Sequence, residues 1–458
     1  MRIDRLLENF APRFEGSLLD IKRITTKIQD ADGESIFVCT RSGVRDTHYG
    51  APAAYARGCR VFVAERGLAL PQDAAVLVVE DSEAVGAAIA ARLLDFPAKR
   101  LALYGIAGKL GKTTVAAMLA DLFCACGKRA AALLSEGVYL DGTLSRFQNT
   151  VADAVERQYL LATLVAQGVT HAVLEISSYM LSRDGWQELP FAAIGVTDAG
   201  DHLPLLLDTP TVLPARLSPP REDKRIFTYG TGGLCFAKDV KPLHIKGGFG
   251  TRFTLCLADE RGSVSLPVAG DFAVQNALLV AHLAHLAGCP LAAIAAALSR
   301  ISPWGCLSLV ANVRKRRVYL DAAYTPEALE AALAALRERT AGKLTVLLGS
   351  VGGRAHARRG ALAKVAERYA DFVYLTADNP DNEDPCAICE EMARAMQFPW
   401  QYAIIPDRAE AIRRAVLELR PDDTLLIAGK AREDYQLSLG KYFPLDERAL
   451  VKNAAKLL

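Results

Sequence analysis

The chain has little net charge and lacks long apolar runs. Its 54 basic and 52 acidic residues leave a formal charge of +2, which is not the electrostatic footprint of a protein that binds nucleic acid or an anionic membrane. No charge-free apolar stretch reaches the roughly 18 residues that a membrane span needs. The first residues, MRIDRLLENFAPRFEG, also lack the apolar core of a secretory signal. We therefore expect a cytoplasmic protein that does not insert into membranes.

A disulfide framework is also lacking, because the ten cysteines are dispersed along the chain. Cys386 and Cys389 form a CxxC pair, but neither a second pair nor a histidine cluster accompanies them. We interpret them as structural thiols at the start of a helix. Cys124 and Cys126 lie near the end of an apolar helix and are predicted to belong to the core.

A glycine-rich run follows an apolar strand and opens a helix, in the sequence YGIAGKLGKTT. Glycines spaced by three allow backbone N–H groups to point at an anion, while Lys112 adds a cation and Thr113 a hydroxyl for Mg²⁺. A helix-capping turn is the alternative, but the flanking strand and helix favour nucleotide binding. The candidate nucleotide-binding residues are Gly105, Gly108, Lys109, Gly111, Lys112, Thr113 and Thr114.

A chain of 458 residues is too long to fold around a single hydrophobic core. The alternation of strand and helix patterns predicts an α/β protein, and we expect three domains, residues 1–98, 99–312 and 313–458. The first alternates short apolar strands with alanine-rich helices, and the second begins at the glycine-rich run. In the third, strands and helices alternate regularly. That spacing predicts a doubly wound, mainly parallel sheet with right-handed crossovers.

Polar residues follow the predicted strands of the third domain. They are Asp321, the segment from Gly349 to Arg359, Asp378 to Pro380, and Gly429 to Asp434. Each of these segments alone is ordinary turn chemistry. Four such strand ends at one edge of a sheet favour a substrate site instead.

Taken in order, these pieces resemble the Mur ligases, and among them the UDP-N-acetylmuramoyl-tripeptide synthetases. YGIAGKLGKTT is similar to the family's TGTNGKTT, LEISSYML to MEVSSHGL, and TDAGDHL to TNLxxDHLD. Near the C-terminus, DNPDNEDP is similar to DNPRxEDP and IAGKAREDYQ to IAGKGHEDYQ. The resemblance spans nearly the whole chain. It implies a small N-terminal α/β domain, a central ATP-binding domain with a phosphate loop, and a C-terminal Rossmann-like domain.

The resemblance implies an ADP-forming ligase that uses ATP and Mg²⁺ to join an amino acid to a UDP-sugar peptide. We expect the protein to be a monomer. A carboxylate would attack the γ-phosphate, and an amine would displace phosphate from the acyl phosphate; cations and positioned donors suit both steps. On this reading the catalytic positions are Lys112, Glu175, His202 and Arg216, and the metal ligands are Thr113, Glu175 and His202. Asn276 and Asp321 would contact the nucleotide. Glu175 as a helix cap and His202 as a plain loop histidine are the alternatives.

The resemblance also assigns substrate residues. Those for the UDP-sugar peptide are Thr26, His48, Asn149, Thr150 and Ser177. Those for the amino acid are Arg354, Asp378, Asn379, Asp381, Gly429 and Glu433. Enzymes that use meso-diaminopimelate carry an arginine where Asp381 stands, so we expect an acceptor with a distal cation, such as L-lysine. The alternative is that Asp381 points to solvent.

Several positions depart from the family pattern. Arg216 stands where a carbamylated lysine supports the second Mg²⁺, and Asp198 replaces an asparagine. Three hypotheses follow. The first is a ligase acting on a UDP-muramyl dipeptide or on a related carboxylate in a specialised pathway. The second is a ligase-like homologue that binds nucleotide with little turnover. The third and weakest is a plain P-loop ATPase or kinase, in which the C-terminal motifs would have no function.

Overall fold

The computed structural model describes residues 20–41, 46–147, 153–177, 180, 189–198, 209–217, 223–245, 248–301, 305–353, 355–431 and 433–458. The chain divides into two compact units, and the division lies between Phe227 and Thr228. Across these described segments, no helix is both long enough and apolar enough to cross a membrane.

The first unit begins with a four-stranded parallel sheet whose strands follow chain order. The second and third strands are buried along their whole length, as their apolar runs predicted. Asp81 begins the second helix, because its carboxylate accepts from the N–H groups of Glu83 and Ala84. The elements are β1 (Arg23–Thr25), β2 (Ser35–Val38), α1 (Ala51–Ala56), β3 (Val61–Ala64), β4 (Ala75–Val78) and α2 (Ser82–Leu93).

A second sheet of the first unit carries the glycine-rich run. β5 lies between β10 and β9, with β6 beyond β9, and these four strands are parallel. β6, β7 and β8 continue as antiparallel hairpins, and β11 flanks β10. The elements are β5 (Ala102–Ala107), α3 (Lys112–Ala125), β6 (Ala130–Leu134), β7 (Gly137–Leu140), β8 (Thr143–Arg146), α4 (Ala154–Ala166), β9 (His171–Glu175), β10 (Phe191–Val196) and β11 (Thr211–Pro214); β12 (Ile226–Tyr229) spans the division.

The second unit opens with an antiparallel ribbon and a pair of alanine-rich helices. His282 of the longer helix is buried, and burial lowers its pKa to about 4. It is therefore a core residue. The elements are β13 (Cys235–Ile245), β14 (Gly248–Leu257), β15 (Glu260–Leu266), α5 (Asp271–Leu286) and α6 (Leu291–Leu298).

A six-stranded sheet in the order β16, β17, β21, β18, β19, β20 completes the second unit. It is parallel apart from β16, and apolar helices cover it, as the strand–helix alternation predicted. The elements are β16 (Ser308–Val313), β17 (Arg316–Asp321), α7 (Pro326–Arg337), β18 (Leu344–Leu348), α8 (His356–Tyr369), β19 (Phe372–Leu375), α9 (Pro385–Ala393), β20 (Tyr402–Ile404), α10 (Arg408–Leu417), β21 (Thr424–Ala428), β22 (Tyr435–Ser438), β23 (Lys441–Pro444) and α11 (Glu447–Ala455).

The four-stranded sheet, the sheet that carries the glycine-rich run and the six-stranded sheet correspond to the three predicted parts, so the three-part α/β architecture is confirmed. The domain bounds at residues 98 and 312 remain predictions. One prediction for the core was wrong. Cys124 is exposed and Cys126 is only half-buried, because both lie beyond Phe123, the last buried residue of α3.

Candidate active site

The glycine-rich run forms a loop between β5 and α3 that requires glycine. Gly108 has a φ of 124° and Gly111 a φ of 78°, a region that other residues rarely adopt. A Cβ at Gly108 would lie 2.1 Å from Thr197 Oγ1, so the neighbouring strand end approaches the loop closely. The predicted strand–loop–helix arrangement is confirmed.

Groups of the loop already contact polar atoms of the protein. Lys112 Nζ donates to the carbonyl oxygens of Gly108 at 2.8 Å and Lys109 at 3.4 Å. The N–H groups of Lys109 and Leu110 donate to the two carboxylate oxygens of Asp198, at 2.5 and 3.3 Å. The loop therefore presents its N–H donors toward an anion, as a phosphate loop does.

Thr113 and Glu175, both predicted metal ligands, lie together. Glu175 ends β9, and its Oε2 accepts from Thr113 Oγ1 and from the N–H of Ser135, each at 3.0 Å. Glu175 therefore contacts the loop helix and the segment after β6. A half-buried hydroxyl beside a carboxylate supplies the hard oxygen ligands that suit Mg²⁺. Thr114 is buried in the core, and His202 lies outside the described residues.

Three other residues that we predicted for catalysis or nucleotide binding, Arg216, Asn276 and Asp321, differ in how far they are buried. Arg216 is exposed in the turn after β11. In the second unit, Asn276 is half-buried on α5, and Asp321 is buried at the end of β17, where it accepts from the N–H of Leu307 at 2.7 Å. The nucleotide-contact roles of Asn276 and Asp321 remain predictions.

The residues assigned to the UDP-sugar peptide are partly engaged within the protein. His48 is buried; its Nδ1 lies 2.7 Å from Asp46 Oδ1, and its Nε2 accepts from the N–H of Glu65 at 3.1 Å. Both ring nitrogens of His48 are therefore already engaged within the protein. Thr26 Oγ1 donates to Asp153, which begins α4, and Ser177 Oγ accepts from the N–H of Met180. Asn149 and Thr150 lie outside the described residues.

Most residues assigned to the amino acid converge on one buried ammonium. Lys430 Nζ donates to Asn379 Oδ1 at 2.7 Å and Glu433 Oε2 at 2.8 Å, and lies 3.5 Å from Asp378 Oδ1. Asn379 Nδ2 also donates to Glu433 Oε2 at 2.8 Å. Gly429 permits this packing, because a Cβ there would lie 2.7 Å from Asp378 Oδ2. Of the four strand ends that we predicted to converge, those after β19 and β21 come together in this cluster.

Asp381 is half-buried and belongs to the loop that follows this cluster. Its Oδ1 accepts from the N–H of Gly440 at 2.8 Å, and its backbone pairs with Leu437 and Leu439 of the β22–β23 hairpin. The carboxylate is therefore neither buried in the cluster nor fully directed to solvent. It ties the hairpin tip to the loop while keeping oxygen lone pairs for a further donor.

A buried arginine supports the neighbouring loop. Arg359 donates to both carboxylate oxygens of Glu383 at 2.7 Å and to Glu391, and Glu383 also accepts from the N–H of Gly353. The guanidinium lowers the pKa of Glu383 to about 2. Glu383, Glu391 and His356 lie close enough together to hold a metal ion, but Arg359 already neutralises the two carboxylates. Arg354 itself lies outside the described residues.

Sequence reasoning did not assign a role to Lys430, although it lies three residues before Glu433. The spacing of three residues could have indicated the contact, because it places the side chains of Lys430 and Glu433 at the same turn after β21. It also missed Arg408, whose buried guanidinium pairs with Glu447 and donates to the carbonyls of Ala377 and Ala428, one residue before Asp378 and Gly429 respectively. Nothing in the local sequence marks an arginine on a helix as buried under a sheet edge.

Comparisons with known proteins identify the family. The Mur ligase middle domain matches residues 106–204, and the Mur ligase glutamate ligase domain matches residues 307–431. UDP-N-acetylmuramoyl-L-alanyl-D-glutamate–2,6-diaminopimelate ligase of Agrobacterium fabrum is 31% identical over 95% of this chain and 93% of the relative. This chain belongs to the Mur ligase family. It is an ATP-dependent ligase that forms an amide bond.

Other Mur ligases are similar over nearly the full length. The enzyme of the same name from Caldanaerobacter subterraneus subsp. tengcongensis is 29% identical over 99% of this chain and 98% of the relative. A solved structure of a 2,6-diaminopimelate ligase of this name aligns with a TM-score of 0.68 at 22% identity, covering 100% of this chain and 99% of its own. The MurF ligase of Thermotoga maritima in complex with ADP aligns with a TM-score of 0.61 at 16% identity, covering 96% and 98%. These two likenesses show the fold.

Proposed function

We propose that this Mur ligase adds a diamino acid with a distal ammonium group, such as L-lysine, to a UDP-N-acetylmuramoyl dipeptide. The observation that carries the proposal is the cluster of Asp378, Asn379, Lys430 and Glu433 with Asp381 beside it. The relatives are named as diaminopimelate ligases, so the donor in the proposal follows the family. The acceptor in the proposal follows the charge at Asp381.

The proposed choice of acceptor depends on the charge of one side chain, that of Asp381. Diaminopimelate ends in an amino group and a carboxylate, and a carboxylate calls for an arginine or another cation as its partner. Asp381 presents an anion instead. Its remaining lone pairs suit an ammonium donor, while a second carboxylate would be repelled.

The phosphoryl-transfer half of the reaction uses the first unit. Lys112 and the loop N–H groups are proposed to stabilise the charge on the γ-phosphate as the donor carboxylate attacks it. Thr113 and Glu175 are proposed to hold Mg²⁺, which would neutralise phosphate charge when bound. The amine then attacks the acyl phosphate carbon, the C–O bond to phosphate breaks, and the amide forms with loss of a proton from nitrogen.

The acceptor half uses the second unit. Glu433 is fixed by Lys430 and Asn379 through one oxygen, Oε2. Its other oxygen has no hydrogen-bond partner among the residues that the structure describes, and can accept from the acceptor's α-ammonium. Asp378 packs against Gly429, where a Cβ would lie 2.7 Å from Asp378 Oδ2, so the glycine allows Asp378 to lie beside this group.

The decisive experiment measures phosphate release by the purified protein with ATP, Mg²⁺ and UDP-N-acetylmuramoyl-L-Ala-D-Glu, with amino acids supplied one at a time. The expected result is release with L-lysine or L-ornithine and a product of the summed mass less water. Preference for meso-diaminopimelate would contradict the acceptor assignment and leave the ligase assignment intact.

A second candidate function is a ligase-like homologue that binds nucleotide with little turnover. Two observations favour it: Arg216 stands exposed where the family carries a carbamylated lysine, and the Asp198 carboxylate contacts the phosphate loop. Silence with every acceptor, together with measurable binding of ADP, would select this candidate or a different acyl donor.

A further inference from the structure

The phosphate loop holds an anion that belongs to the protein itself. Asp198 follows β10, the strand next to β5, and its carboxylate lies over the loop. Oδ1 accepts from the N–H of Lys109 at 2.5 Å and Oδ2 from the N–H of Leu110 at 3.3 Å. Backbone N–H groups in such loops are the donors that bind nucleotide phosphates. The carboxylate therefore uses donors that a phosphate would need.

The main chain delivers Asp198 to this position. The N–H of Thr197 donates to the carbonyl of Ala107 at 3.0 Å, which fixes the residue before Asp198 against the end of β5. Gly108 leaves room for the carboxylate, because a Cβ there would lie 2.6 Å from Asp198 Oδ1. The contact therefore rests on the backbone of two paired strands and not on a long, flexible side chain.

The lysine of the loop is turned toward the protein as well. Lys112 Nζ donates to the carbonyls of Gly108 and Lys109, and these carbonyls belong to the same loop. Nucleotide binding must therefore exchange contacts at both the amides and the lysine. Moving the Lys112 ammonium away from two neutral carbonyl oxygens costs little free energy. The Asp198 carboxylate, by contrast, would remain beside the polyphosphate and add like-charge repulsion.

We infer that Asp198 lowers the affinity of the loop for nucleotide, because its carboxylate occupies the amides of Lys109 and Leu110 and its charge opposes the phosphates. In the family pattern this position is an asparagine, whose neutral side chain has one acceptor oxygen and no charge. Asp198 is thus an affinity-determining residue and not a catalytic one. The inference rests on the phosphate-loop role of Lys112, but not on the identity of the amino acid.

The test is the dissociation constant of Mg²⁺–ADP, measured by calorimetry on the full chain and on Asp198→Asn. We expect Asp198→Asn to bind ADP about tenfold more tightly, from the removal of one charge close to the phosphates. The difference should narrow at high KCl, because salt screens repulsion between charges that water reaches. If Asp198 only anchored the loop, Asp198→Asn would bind ADP as tightly as the wild-type chain or more weakly, and the difference would not depend on salt.

Three further variants keep the result interpretable. Asp141→Asn makes the same charge change on the β7–β8 turn, where φ is 51° and asparagine fits, and should leave ADP affinity unchanged. Asp198→Ala tests the charge if the asparagine variant folds poorly, and should also bind more tightly. Lys112→Ala should abolish binding.

The outcomes separate the two claims. Loss of binding in Lys112→Ala with unchanged or weaker binding in both Asp198 variants would overturn the inference and leave the loop assignment standing. Unchanged binding in Lys112→Ala, or no binding of ADP to the wild-type chain, would overturn the loop assignment and the inference with it.

Discussion

Lys430 illustrates how a single buried charge holds the proposed acceptor residues in place. Its side chain is fully buried and bonds to Asn379 and Glu433. We expect Lys430→Met to lower the free energy of unfolding by about 3–5 kcal/mol, because the carboxylates of Asp378 and Glu433 lose their counter-charge in a buried setting. Chemical denaturation measures this loss.

A double variant provides the control for Lys430. Adding Glu433→Gln to Lys430→Met removes one of the orphaned charges and should recover part of the lost stability. Purely additive losses would show that Lys430 does not stabilise Glu433. In the amino-acid assay, Glu433→Gln alone should raise the KM for the acceptor with little change in the KM for ATP.

Asp381 sets the proposed choice of acceptor. Asp381→Asn keeps the bond from Gly440, tolerates the φ of 51°, and removes only the charge, so kcat/KM for L-lysine should fall about tenfold. Asp381→Arg should shift preference toward meso-diaminopimelate. Parallel assays of both amino acids on each variant measure the ratio. An unchanged ratio would mean that Asp381 only anchors the hairpin.

Helix α5 carries a titratable group in its buried face. Burial lowers the pKa of His282 to about 4, from an ordinary value of 6.5. The unfolded chain therefore binds a proton that the folded helix refuses between pH 6.5 and 4. His282 therefore has no effect on the free energy of unfolding above pH 6.5, and lowers it by up to about 3 kcal/mol as the pH drops to 4.

The variant His282→Gln removes this titration. Melting temperatures measured from pH 4 to 7 should fall more steeply for the wild-type chain than for His282→Gln. Equal slopes in the two proteins would show that His282 is protonated in the folded state. His285→Gln is the matched control, because His285 lies on the same helix and is only half-buried.

Much of the fold could be predicted because local patterns and tertiary packing agree. β17, β18, β19 and β21 are short apolar runs, and the helices between them carry caps such as Thr325 and Asp407. β16, the β22–β23 hairpin and α11 were not predicted. β16 and the hairpin are polar or half-exposed, so pairing partners and not composition decide their structure.

The site was predictable to a similar extent. Glycine spacing reveals a backbone loop, and polar residues after parallel strands converge by topology. Contacts between distant residues are different. The bonds from Lys109 and Leu110 to Asp198 join positions about ninety residues apart, and only the β5–β10 pairing brings them together.

For the complete reaction, the path of one oxygen atom distinguishes a ligase from a plain ATPase. If the donor carboxylate attacks the γ-phosphate, a donor oxygen becomes the bridge of the acyl phosphate and leaves with phosphate when the amine attacks. A UDP-muramyl dipeptide labelled with ¹⁸O in its reacting carboxylate should therefore yield inorganic phosphate carrying one ¹⁸O. Mass spectrometry of the released phosphate detects it. Unlabelled phosphate would indicate that water attacks ATP, and release of AMP with pyrophosphate would indicate an adenylate intermediate; either would contradict the acyl-phosphate mechanism.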